Sequence, residues 1–203
     1  WQNPGYAQDV PHVKNPIAAN NPFAGQGVTS SGLIMRPMSE VKMSRVEYLW
    51  KGWLPLGYIT LAAGETGAAK STAVADIAAK ISNGLPFPGE NEGRAPAKVL
   101  WLGSEDGVED MTVPRLPANK ANLQNIIEVR GVNRNGARST FSMQDDIIAV
   151  SEILKDGIAR NDPFKLIVID PVTSYLSGTK QREVKINDAG QLRTVLEPWL
   201  VVA

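Results

Sequence analysis

The chain is 203 residues long, enough for one domain with a sizeable core. Its 43% hydrophobic and 21% charged content is ordinary for a globular protein, and a formal net charge of zero gives no bulk attraction to nucleic acid or to an anionic membrane. It has no cysteine, which excludes disulfides and thiolate metal sites, and no apolar run near the roughly 18 residues that a membrane span needs. No basic-then-apolar leader is visible, and a cytoplasmic protein is expected. The chain begins at Trp1 and stops at Ala203 just after an apolar stretch, so it reads as a fragment.

Residues 1–38 are rich in Asn, Pro and Gly without any apolar period, and read as an extended or disordered arm. The single histidine, His12, lies there and reads as solvated. Residues 39–203 read as one α/β core. Its lead-in carries Tyr48, Trp50 and Trp53, which serve burial over a sheet edge or, alternatively, stack on a nucleotide base. An apolar run over residues 58–63 predicts the first strand. The stretch GETGAAKST, residues 64–72, follows it and opens a helix over about 70–83 with Val74, Ile77, Ala78 and Ile81 inward. Gly84 is placed to end that helix.

Strand, Gly-rich turn and helix with Lys70 and Ser71 at its start make a phosphate-binding loop. Successive backbone N–H groups, the helix N-terminus and a lysine charge all favour an anion. The loop is Gly64, Glu65, Thr66, Gly67, Ala68, Ala69, Lys70, Ser71 and Thr72. Ala69 stands where the usual pattern has its second glycine.

Further on, KVLWLG over residues 98–103 predicts a strand buried on both faces. Ser104, Glu105, Asp106 and Gly107 follow at its carboxyl end, either as a capping turn or as a carboxylate pair facing a ligand. Pro114 and Pro117 make the next helix doubtful. A third strand is expected over residues 126–129, then a polar loop over 130–142 with Arg130, Arg134 and Arg138, a solvated segment or a phosphate or DNA contact. Ser142 caps a helix of about 143–160, and a strand over 165–169 ends on Asp170. A polar loop, 173–187, precedes a last helix capped by Asp188, with Leu192, Val195, Leu196 and Trp199 inward and Pro198 forcing a kink or stop. Strands alternating with helices imply a three-layer α/β/α fold around a mostly parallel sheet.

Lys70 can reach β- and γ-phosphates, Ser71 and Asp170 can ligate Mg²⁺, and Glu105 can polarise a water as general base. GETGAAKST, VLWLGSED and LIVIDPVTSYLSG together resemble the RecA-like P-loop ATPases, most closely replicative helicases of the RepA type from plasmids and phages, within the AAA family. YLWKGWLPLGYITLAAGE, NGLPFPG and VEDMTVPRL add to the likeness, which covers about residues 39–200. The resemblance implies ATP and Mg²⁺ as ligands, a homo-oligomeric ring such as a hexamer, and movement along single-stranded DNA. It makes Lys70 and Glu105 catalytic, Asp170 the second-motif aspartate, and Lys180, Arg182 and Lys185 candidate DNA contacts. It also implies a further strand flanking residues 58–63, so the core reads as incomplete at its C-terminus. Ala69 and this incompleteness allow an impaired ATPase or a non-hydrolysing regulatory module. A nucleotide kinase would need an arginine-bearing lid, and no clear one is visible.

Overall fold

A computed structural model describes residues 35–103, 112–176, 184 and 188–202. The chain divides into two units, Trp1–Arg45 and Val46–Ala203. In the first, residues 35–45 are described and contain one 3-10 turn, Met38–Glu40. The expected arm and His12 lie outside the described residues apart from the arm's last four.

The second unit is organised around a parallel sheet. Its strands are β3 (Lys98–Gly103), β4 (Ile126–Glu128) and β7 (Phe164–Asp170), in the order β4-β3-β7. Helix α1 is Lys70–Asn83, α2 is Val113–Ala118, α3 is Ile147–Ala159 and α4 is Ala189–Leu196. Two small antiparallel hairpins complete it, β1 (Tyr48–Trp50) with β2 (Leu54–Pro55), and β5 (Val132–Arg134) with β6 (Ala137–Ser139).

The near-continuous apolar run of β3 has the expected consequence. Side chains alternate across a strand, so Val99 and Trp101 enter a core with Ala75, Ala78 and Ile81 of α1 and Leu116 of α2. Leu100 and Leu102 enter a second core on the opposite face, with Val150 of α3, Val195 of α4 and Trp199 beyond it. Helices therefore cover both faces of the sheet, the three-layer arrangement read from the alternation of elements. No described helix is long and apolar enough to cross a membrane.

Helix α1 is held firmly at its C-terminal end. Gly84, in the left-handed conformation at φ 69°, donates its N–H to Ile81 O, and Leu85 N–H returns to Lys80 O. The buried Ser82 accepts the Asn122 N–H on its Oγ at 3.1 Å and the Asn125 side-chain amide on its carbonyl at 2.8 Å. Ala97, one residue before β3, donates to Ile81 O at 3.0 Å. That bond puts the end of α1 beside the start of β3, so the two run antiparallel. Fourteen helical residues span about 21 Å, and six strand residues about 20 Å. The start of α1 thus lies at the carboxyl end of the sheet.

Several elements differ from expectation. Residues 58–63 form no strand. Among the described residues β7 pairs with β3 alone; its outer edge stays open, no described strand lies beyond it to enclose residues 58–63 between two partners, and these residues form no ladder there. Leu61 is accordingly 62% exposed. Helix α2 does form, because Pro114 sits in its first turn, where a missing N–H costs nothing; Pro117 keeps it to six residues. The 130–142 segment is a hairpin rather than a polar loop. Asn135 and Gly136 both take positive φ, 54° and 83°, the two-residue turn that Asn-Gly favours. Ser142 Oγ accepts the N–H groups of Gln144 and Asp145 as a cap should, but over a turn, with α3 beginning only at Ile147. Asp188 caps α4 through Gly190 N–H and Gln191 N–H, and the helix stops at Leu196, just ahead of Pro198.

Of the lead-in aromatics, Trp50 stacks flat on Phe87, centroids 4.9 Å apart, and packs against the α1 core. Trp53 stacks on Trp50 but stays 68% exposed, and Tyr48 is exposed as well. Phe87 lies beyond the C-terminus of α1, about one helix length from the phosphate loop. Burial, rather than base stacking, accounts for Trp50.

Candidate functional site

Residues 64–69 are exposed and irregular, and α1 starts at Lys70. Gly67 takes φ 82° and Ala69 takes φ 56°, ψ 23°. Ala69 is therefore left-handed at the N-cap, a conformation that costs a residue with a Cβ about 1–2 kcal/mol and glycine almost nothing. Its carbonyl accepts the first helical hydrogen bond, from Ala73 N–H at 2.9 Å. The next N–H groups stand at the open start of the helix, where they have no intrahelical partner.

Lys70 folds its side chain back over the loop. Its Nζ donates to the carbonyls of Gly64 and Glu65, both at 2.8 Å. Two of its three N–H bonds are so used, and the charge is held at the mouth of the loop with one donor left for an anion. Ser71, half-buried, follows directly and its hydroxyl forms no hydrogen bond with another described residue; Thr72 is exposed.

Asp170 ends β7 and stands opposite Gly103, the last residue of β3. Because α1 runs antiparallel to β3, Lys70 and Ser71 lie at the same end of the sheet as Asp170. The fold brings these three to one end. Glu105 and Asp106 lie outside the described residues, two and three positions along the chain from Gly103. Lys180, Arg182 and Lys185 also lie outside them.

No described group of three or more His, Asp or Glu side chains forms a metal cage. The Ser71 hydroxyl and the Asp170 carboxylate are hard oxygen donors of the right type for Mg²⁺.

One feature beside the site carries no signature in the sequence. The Trp101 indole N–H is buried without a partner and is turned toward Gly103; a Cβ on Gly103 would meet its Nε1 at 2.7 Å. The end of β3 beside Asp170 must therefore stay bare backbone.

An AAA domain matches residues 36–199, most of the chain, while no curated protein and no solved structure matches it. The phosphate loop at the carboxyl end of a parallel sheet agrees with that assignment. The chain belongs to the AAA domain family, a group of P-loop ATPase-like, nucleotide-binding proteins.

Proposed function

We propose that the chain is the ATP-binding core of a Mg-dependent ATPase of the RecA-like, RepA-type replicative-helicase kind, acting on single-stranded DNA in the cytoplasm as a homo-oligomeric ring. The observation that carries the nucleotide part is the position of Lys70 and Ser71 at the sheet end where Asp170 terminates β7. Backbone N–H groups of residues 64–72 cradle the phosphates, Lys70 neutralises their charge, and Ser71 and Asp170 hold the metal. Bound Mg²⁺ supplies positive charge at the phosphate oxygens. Glu105 accepts the proton of the attacking water. Lys180, Arg182 and Lys185 are assigned to DNA by resemblance alone.

A second reading, a regulatory module that binds nucleotide without turning it over, is favoured by the left-handed Ala69. Its Cβ points from the spot where backbone and phosphate approach most closely in a glycine-bearing loop. Nucleotide titration and turnover, with and without single-stranded DNA, separate the two. Lys70→Ala is expected to weaken ATP binding at least tenfold. Unchanged binding in that variant refutes the site. Binding without turnover in both the wild type and Ala69→Gly selects the regulatory module.

A further inference from the structure

The three arginines between β4 and α3 have different surroundings. Arg134 is committed to structure: its guanidinium donates to both carboxylate oxygens of the buried Asp146 at 2.8 Å, and Asp146 also accepts Ser142 N–H. Arg138 donates only Nε, to the carbonyl of Arg130 at 2.8 Å, which leaves its terminal N–H groups. The Arg130 side chain forms no hydrogen bond or ion pair with a described residue. No carboxylate among the described residues pairs with either.

Gly131 makes this arrangement possible. It takes φ 136°, and a Cβ there would lie 2.6 Å from the Ser139 carbonyl and 3.4 Å from Arg138 Nε. The bare backbone lets Arg138 fold in against the chain. The two arginines border a cavity of about 360 Å³, within the size range of small-molecule sites. Gly103, Val129, Thr140 and Tyr175 also line it, and so does Glu128, which is not ion-paired to the arginines.

The cavity lies where the sheet favours a ligand. Helix α2, which follows β3, packs on the α1 side, whereas α3, which follows β4, packs on the other. The helices that follow these adjacent strands thus pack on opposite faces, and a crevice opens between the carboxyl ends of β3 and β4. In open α/β sheets such a switch point is the usual binding position.

We propose that this crevice is a second phosphate-binding site, separate from the phosphate loop. Arg130 and Arg138 grip a phosphate group by charge-assisted, fork-shaped hydrogen bonding, with the Thr140 hydroxyl beside them. The phosphate belongs either to a free phosphorylated small molecule or to a nucleic-acid backbone; the chemistry recognised is the same.

The test uses the whole chain carrying Lys70→Ala, which removes the phosphate-loop lysine, and two probes: inorganic pyrophosphate and a labelled oligothymidylate. At least one probe is expected to bind this variant, and Arg130→Gln with Arg138→Gln is expected to weaken it at least tenfold. Competition by pyrophosphate identifies a free phosphate as the source. Oligonucleotide binding alone identifies the backbone, and the slope of log K against log salt then falls by about 1.4 for two lost contacts on a single strand. Arg130→Gln by itself, whose side chain holds nothing in the fold, covers the case in which Arg138→Gln lowers the melting temperature. Binding that disappears with Lys70→Ala, or that survives the arginine substitutions unchanged, overturns the proposal.

Discussion

The two ends of α1 share one backbone conformation and treat it differently. At the front, Ala69 has φ 56°, ψ 23°; at the rear, Gly84 has φ 69°, ψ 22°. Gly84 is enclosed: a Cβ there would lie 2.2 Å from the Arg94 carbonyl. Ala69 is exposed and carries its Cβ without a clash inside the chain. The same dihedral angles are thus demanded by packing at one end and only tolerated at the other. What the front end does about a bound phosphate is decided by function, not by the fold.

Substitutions break or sharpen that contrast. Gly84→Ala carries the largest expected effect, about 3 kcal/mol or more, from left-handed strain added to overpacking; denaturant unfolding measures it, and a loss below 1 kcal/mol would show that the rear cap is not constrained. Ser82→Ala leaves the Asn122 N–H without its acceptor, and is expected to cost about 1–3 kcal/mol in the same assay. Ala69→Gly relieves about 1–2 kcal/mol of strain but gives the unfolded chain about 0.4–1 kcal/mol of freedom. A net gain of about 0–1.6 kcal/mol is expected, and a loss would contradict the left-handed Ala69.

The smallest effect concerns the loop behind the rear cap. The Glu90 carboxyl is held below its ordinary value, first by the Phe87 N–H and then by Arg94, against the opposing effect of burial. A lowered carboxylate stabilises the fold above its unfolded value and loses that contribution as the pH falls through the folded one. Wild-type stability should therefore drop slightly more than that of Glu90→Gln below about pH 4.5. Parallel acid limbs in the two proteins would remove the clamp from consideration.

Most of the sheet was legible because β3 and β7 are continuous apolar runs and α1 has one apolar stripe. The places of Lys70 and Ser71 at a helix start and of Asp170 at a strand end were legible because Gly-rich turn, helix period and apolar run are local patterns; their roles remain a proposal. The hairpin at 132–139 was missed although Asn135-Gly136 is a strong turn signal; its strands are three residues each, too short to show a period. Residues 58–63 failed for the opposite reason. Their apolar run is strand-like, but a strand exists only with a partner, and pairing is not a local property. The Trp101–Gly103 contact and the crevice beside Arg130 depend on which strands become neighbours, so no window of sequence contains them. Glu105, Lys180, Arg182 and Lys185 keep the status of expectations carried by resemblance.

The hydrogen bonds at Ser82, Asn83 and Gly84 tie the rear of α1 to the lead-in of β4, to the approach to β3 and to Lys120. Lys70, at the other end, bonds only to the loop that precedes it. Mechanically, α1 is a beam anchored at its base and bedded along one face, where Val74, Ala75, Ala78 and Ile81 lie against the core. The anchor grips the amino ends of β3 and β4, so the arginine crevice at their carboxyl ends shares its end of the sheet with the loop rather than with the anchor.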